Sequence, residues 1–314
     1  MKKHNISKFY QNLLGSSIVL LVMFTLGSRA VCAAPKDSPW GGDYFPNVEL
    51  TNQDGKTFKF YDDLIKDKIV AVNFIYTQCG DSCPLETANL KRVYNLIKAR
   101  MGQDIFFYTI SIDAKHDDTK TLKAYAERFK TGPGWYFLSG SEANTTLLRK
   151  KFGLYASEGE KDLSDHSTSF MIGNESTGQW IKKTPYDEPM VLAQALSYTL
   201  PKKKILPEGM QVNYSKAQAL NDYSKVGELY QSRCASCHSL GAEDGIGPGL
   251  DGITLRRDKS WLTRWLQDPK KMLAEKDPIA VDLYNRYNKV LMPDLKLSSN
   301  DVEALLNFLA SANK

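Results

Sequence analysis

The sequence predicts two domains in series: an α/β domain over residues 34–200 and a small all-α domain over residues 219–314, joined by a linker at 201–218. Three observations carry this expectation. Residues 44–200 alternate strand and helix signals. A polar stretch with turn formers, Pro201-Lys202-Lys203-Lys204 and then Pro207-Glu208-Gly209, separates them from the rest. The cysteines beyond the first 33 residues fall in two close pairs, Cys79/Cys83 and Cys234/Cys237, one in each part. A chain of 314 residues has two domains as its natural prior.

Residues 1–33 read as an export signal. Lys2, Lys3 and Lys8 make a positive start, residues 13–26 are mostly apolar and uncharged, and Val31-Cys32-Ala33 offers a cleavage site before Ala34. This predicts passage into the periplasm. Val31 is bulky where lipoprotein cleavage wants a small residue, which argues against a lipid on Cys32. The apolar run is shorter than the about 20 residues of a spanning helix, so a membrane tether is expected only if the segment stays uncleaved. Of the net charge of +5, Lys2, Lys3, Lys8 and Arg29 lie in this leader. The remaining chain is nearly neutral, which excludes nucleic acid as an electrostatic partner.

The elements of the first domain follow in order. Asn52-Gln53-Asp54-Gly55 reads as a hairpin turn between strands at 48–50 and 57–60. The run 69–75 is apolar almost throughout, as in a strand buried on both faces. Residues 84–101 read as a helix, 105–112 as a second buried strand and 121–129 as a helix. Residues 167–173 and 179–181 pair as a hairpin, and 189–200 close with a helix. Strand, helix, strand, helix, then hairpin and helix is a thioredoxin-like order.

Cys79 and Cys83 follow the first buried strand and open its helix. Their spacing of four puts both on one helical face. Free N–H groups at a helix start lower a thiol's pKa, so both are expected to be reactive. Such a pair either oxidises to a local disulfide or chelates a soft metal; thiolate selects copper(I), and added imidazole accommodates copper(II). A purely structural disulfide across so short a loop would stabilise little. A third ligand would be a histidine or methionine from elsewhere, and His116 and His166 are the available imidazoles. His116 sits in the polar run Ala114-Lys115-His116-Asp117-Asp118, which reads as a solvent loop; His166 begins a strand.

Thr77-Gln78-Cys79-Gly80-Asp81-Ser82-Cys83-Pro84 resembles the Thr-x-Cys-x-x-x-Cys-Pro motif of the Sco/SenC copper-handling family. Ser111-Ile112-Asp113 and Asp165-His166-Ser167 are similar to two further motifs of that family, in the same order. The resemblance covers residues 44–200. It implies a thioredoxin-like fold and copper held by Cys79, Cys83 and His166, with His116 at a variable surface position. Gly80, Ala114 and Lys120 stand where the family commonly has proline, which bears on loop rigidity. Asp113 matches an acidic position of the family.

In the second part, 234–238 read Cys-Ala-Ser-Cys-His, the attachment signature of c-type haem. Two thiols become thioethers and the adjacent imidazole reaches the iron. A closed zinc site needs four N/S ligands, and no Cys or His follows His238. A bare redox Cys-x-x-Cys would not need the following histidine. A helix at 222–234 delivers the motif. The segment resembles a class I cytochrome c, with Gly247-Pro248-Gly249-Leu250 as the loop that follows the haem motif. The resemblance implies that the Pro248 carbonyl accepts the His238 ring N–H. The sixth ligand is expected from Met292, in a loop before a last helix at 301–310, rather than from Met272, which lies in a helix where methionine fills core. Trp261 and Trp265 suit haem packing and ordinary burial equally.

Copper and haem iron each change by one electron, whereas a disulfide needs two. This favours a periplasmic copper metallochaperone with a fused c-type haem electron-transfer domain. The Sco resemblance implies cytochrome oxidase assembly at the Cu-A site, with the oxidase copper subunit or its assembly factors and redox proteins as partners. The alternative is a haem-linked thiol-disulfide oxidoreductase in which Cys79 and Cys83 are catalytic. A third reading is an electron carrier whose first domain only docks.

Overall fold

The computed structural model describes residues 40–79, 82–155, 163, 167–207 and 224–312. The leader, His166 and most of the expected linker lie outside the described residues.

β3 (Ile69–Ile75) is buried along its whole length, as its unbroken apolar run demands. Its side chains still alternate. Ile69, Ala71 and Ile75 enter one core; Val70, Val72 and Phe74 enter the other. β4 (Ile105–Ser111) lies parallel to β3, with Ile69 opposite Ile105, and β5 (Trp135–Ser139) lies parallel to β4. On the other side of β3, β6 (Phe170–Asn174) and β7 (Gln179–Lys183) form an antiparallel hairpin. β1 (Glu49–Asn52) and β2 (Thr57–Lys59) extend the β5 edge. The order is β2-β1-β5-β4-β3-β6-β7, a mixed sheet of thioredoxin-like type.

Parallel neighbours need crossovers, and helices supply them. α1 (Ser82–Leu96) joins β3 to β4, α2 (Thr119–Arg128) joins β4 to β5, and α3 (Glu142–Lys151) follows β5. α1, α2 and α4 (Pro189–Gln194) bury Leu90, Leu122 and Leu192 in one core, while α3 buries Leu148 in the other. Caps fix two starts: Asp118 accepts from the Thr121 N–H and Ser141 from the Asn144 N–H.

The structure departs from expectation in several places. β5 and α3 are an extra strand–helix unit between the second helix and the hairpin. α1 begins at Ser82 and ends at Leu96, where the chain tightens into a short turn at Lys98–Arg100. Residues 167–169 carry no strand pairing, so β6 starts at Phe170.

The C-terminal part is helical: α5 (Lys225–Arg233), α6 (Ile253–Arg256), α7 (Lys259–Gln267), α8 (Pro269–Ala274), α9 (Pro278–Arg286) and α10 (Ser299–Ala312). Asp268 and Asp277 cap α8 and α9, each of which starts with proline. α10 is the scaffold. Leu305 and Leu309 pack with Tyr230 of α5, while Val302 and Leu306 pack with Leu262 of α7. Among the described residues no helix is long and apolar enough to cross a membrane.

Candidate metal centres

The end of β3 aims Thr77 to Cys79 at the start of α1. Cys79 and Cys83 are both buried, and their side chains are hydrogen-bonded to each other. The expectation of two low-pKa thiols is corrected at Cys83. The hydrogen bond with Cys79, and then burial, push its thiol well above the usual range. Cys83 is the second residue of α1 and wholly buried, so desolvation outweighs the helix-start N–H groups. Cys79 lines a cavity with Gln78, Pro84, His116, Tyr125 and Arg128. Cys83 does not line it. The cavity therefore reaches the pair through Cys79.

The turn is held from behind by a residue the sequence did not single out. Asp117, expected in a solvent loop, is completely buried. Its carboxylate accepts from the Thr77 N–H (3.0 Å), the Thr77 hydroxyl (2.5 Å) and the Ser111 hydroxyl (2.6 Å). The loop after β4 is thus tied to the cysteine turn. Ser111 also accepts from the Asp113 N–H. Asp113 is buried and meets the His116 Nδ1 at 2.8 Å, while His116 remains half-exposed at the cavity rim. His116 is therefore more than a surface residue: it lines the same cavity as Cys79.

A polar chain runs under α1. Asn73 Nδ2 donates to Glu86 Oε1 (2.7 Å), Thr109 donates to Asn73 (2.8 Å), and Trp135 Nε1 donates to Thr109 (2.9 Å). Glu86 is three residues beyond Cys83 and buried, and its Oε2 meets no partner among the described residues. Burial raises its carboxyl to about 8 against the lowering effect of the Asn73 bond, and Cys79 pushes the same way. Acidity on a helix normally signals a solvated face, so sequence alone gave no hint of this burial.

Among the described residues no three His, Cys, Asp or Glu side chains gather around a metal position. The thiol pair supplies two donors. The expected third ligand, His166, lies outside the described residues.

In the second domain, α5 ends at Arg233 and the chain turns through Cys234 to His238. Two clefts flank this turn. His238, Pro248, Trp265, Leu283, Tyr287 and Met292 line both. Cys237 faces one and Cys234 the other. Burial raises both thiols to about 12, so they stand neutral. The His238 Nδ1 lies 2.8 Å from the Pro248 carbonyl. As donor there, it leaves Nε2 as the ring's lone-pair nitrogen. Gly247 has no substitute here, because a Cβ on it would lie 2.5 Å from His238 Cε1. Met272 is buried and lines neither cleft. Trp261 and Trp265 stack with centroids 5.4 Å apart on the wall of the larger cleft. An oriented imidazole, two neutral thiols, a thioether and an apolar double cleft fit a c-type haem.

The two domains meet at this turn. Ser236, inside Cys-x-x-Cys, donates to Asn89 of α1 at 3.3 Å, and both residues are buried. Arg233 lies over the Tyr186 ring at 5.2 Å. Cys237, Ile246 and Val290 pack against the core that contains Cys79 and Cys83.

Comparison with known proteins matches the two parts of the chain separately. A family model described as SCO1/SenC matches residues 37–198, and one described as cytochrome c matches residues 224–313. The SCO1 protein homolog of Bacillus subtilis is 28% identical over 146 residues, 44% of this chain and 74% of its own length. The SCO2-like protein of Rickettsia felis is 28% identical over 148 residues, 45% of this chain and 67% of its own. The crystal structure of a SCO1/SenC family lipoprotein from Bacillus anthracis aligns with 27% identity and a TM-score of 0.41, covering 48% of this chain and 90% of that one. That of Arabidopsis thaliana ScoI with copper bound aligns with 23% identity and a TM-score of 0.39, covering 46% and 90%.

Proposed function

This chain belongs to the SCO1/SenC family over residues 37–198, and from that premise we propose that it is a periplasmic copper-binding metallochaperone for cytochrome oxidase assembly, carrying a covalent haem c electron-transfer domain. One observation carries the reading: two buried cysteines in mutual contact at a cavity that reaches them through Cys79. Paired sulfur donors are what cuprous ion selects. Copper is the cargo, held by Cys79 and Cys83 with the imidazole of His166 as third ligand, and its destination is the oxidase copper subunit at the Cu-A site or an assembly factor. An export signal at 1–33 takes the chain to that compartment.

Cys234 and Cys237 would hold a haem as thioethers, with His238 and Met292 as the residues that would bind its iron. The Pro248 carbonyl keeps the imidazole oriented, and such a partner also makes the ligating nitrogen a better donor. Bound haem supplies a one-electron couple, the size of step that separates copper(II) from copper(I).

Copper analysis of the purified full chain tests the proposal. Cys83→Ala and His166→Ala are each expected to lose copper; wild-type copper content in both refutes the metal site. The thioethers predict that haem colour survives denaturing acid–organic extraction, and colour released into the solvent refutes them.

One observation favours a second reading, thiol–disulfide exchange with partner cysteines. Cys79 lines the cavity while Cys83 is sealed and protonated, which suits an attacking and a resolving thiol. A mixed disulfide trapped on Cys79 in a Cys83→Ser chain supports it. Tight copper binding without any trapped partner counts against it.

A further inference from the structure

The cavity at Cys79 and the cleft at His238 have a common wall. Pro84, Tyr284, Val290 and Leu291 line both of them. Pro84 directly follows Cys83. Leu291 directly precedes Met292, which lines the haem cleft on both sides. The segment between α9 and Met292 is shaped for this position. Asn288 and Lys289 both take left-handed backbone angles, φ 56° and 58°. These are uncommon for residues other than glycine. The Lys289 N–H is satisfied by the Tyr284 carbonyl (2.9 Å) and the Val290 N–H by that of Tyr287 (3.1 Å). The turn presents Val290 to the core holding both thiols and brings Met292 to the cleft two residues later.

We propose that Val290-Leu291-Met292 is a coupling strap: the segment that carries the candidate axial methionine is also the contact through which the haem domain senses the state of the Cys79/Cys83 pair. This rests on the two-centre reading above and adds the path between them. Close-packed interiors transmit small displacements rather than absorb them. When the sulfurs draw together around a metal or into a disulfide, Pro84 moves with Cys83. Leu291 moves against Pro84, and the Met292 side chain is repositioned over its cleft. Asn89 and Ser236 are hydrogen-bonded across the same contact, so the movement is taken up in the strap and not by separation of the domains.

The experiment uses the full haem-loaded chain in three thiol states: reduced, loaded with cuprous ion, and oxidised by a disulfide reagent. The readouts are the Met292 methyl resonance in the ferrous form and the haem midpoint potential. Both are expected to shift between thiol states. In Leu291→Gly the shift is expected to be lost while the haem remains bound. A methyl signal and a potential indifferent to thiol state in the wild type overturn the proposal, as does a shift of wild-type size in Leu291→Gly. The disulfide arm contains no metal, so failure to bind cuprous ion would refute the copper reading and leave this inference tested. A second measurement needs no variant. Converting ferrous to ferric haem should move the Pro84 and Cys79 resonances by paramagnetic shifts, and unchanged resonances there overturn the shared wall.

Discussion

Removing the Asp117 carboxylate should loosen the cysteine turn, and the structure sets the size of the effect. Three donors converge on one wholly buried carboxylate: the Thr77 N–H, the Thr77 hydroxyl and the Ser111 hydroxyl. Hydrogen bonds to a charged group contribute about 1.5–3 kcal/mol each. In Asp117→Ala the two hydroxyls can rotate towards other acceptors, but the Thr77 N–H is fixed by its backbone and stays unsatisfied. The expected loss is therefore about 3–5 kcal/mol and not the sum of all three bonds. Read locally, about 3 kcal/mol corresponds to about a hundredfold faster exchange of the Thr77 amide proton, at roughly 1.4 kcal/mol per factor of ten. The assay is amide exchange by NMR on the full chain, together with the rate of Cys79 alkylation, which should rise in parallel. Asp117→Asn keeps an acceptor and should fall between wild type and alanine. If Thr77 exchange and Cys79 alkylation in Asp117→Ala stay within twofold of wild type, the carboxylate is not what holds the turn.

Further outcomes follow from the same geometry. Gly247→Ala places a methyl 2.5 Å from His238 Cε1. It should displace the imidazole at an overpacking cost of about 1–3 kcal/mol, visible as a changed haem spectrum or failed haem loading. Met292→Ala should alter axial ligation with little loss of stability. Met272→Ala should leave the spectrum alone but cost about 2–5 kcal/mol on chemical unfolding, as for other buried methionines. Glu86 predicts a pH dependence of metal-free, reduced protein. Its folded pKa of about 8 lies above the ordinary 4.5, so the folded state binds the extra proton. Its contribution is fully present below pH 4.5 and is lost as pH rises through 8. Glu86→Gln should flatten that slope in urea titrations across the window, and an unchanged slope would show that Glu86 is not its source.

The part of the fold written in local patterns was legible. The run at 69–75 and the turn at 52–55 read directly as β3 and the β1–β2 hairpin. The unit β5–α3 was not. Trp135–Ser139 is only five residues long, follows the breakers Gly132-Pro133-Gly134, and draws its strand character from pairing with β4. The thiol pair and the haem turn were legible because their chemistry demands fixed spacings. Asp117 was hidden because its donors come from Thr77, forty residues away, and from Ser111. Its neighbours Lys115, His116 and Asp118 are polar, so the segment resembles a solvated loop. The low-pKa expectation for Cys83 failed for a similar reason: sequence reports a helix start, not how completely the thiol is sealed. The strap at Val290-Leu291 was invisible, since nothing local says that a short apolar pair will face another domain.

The contact between the haem turn and α1 is modest: one side-chain hydrogen bond from Ser236 to Asn89, a guanidinium over Tyr186, and a few apolar side chains. Two separate proteins with such a contact would spend most of their time apart. On one polypeptide the two surfaces are never far apart, so linkage favours a contact too weak to hold separate chains together. Tyr284, Lys289, Val290 and Leu291 of the cytochrome c part line the cavity into which Cys79 opens, so a protein approaching Cys79 meets this chain's own second domain at the entrance.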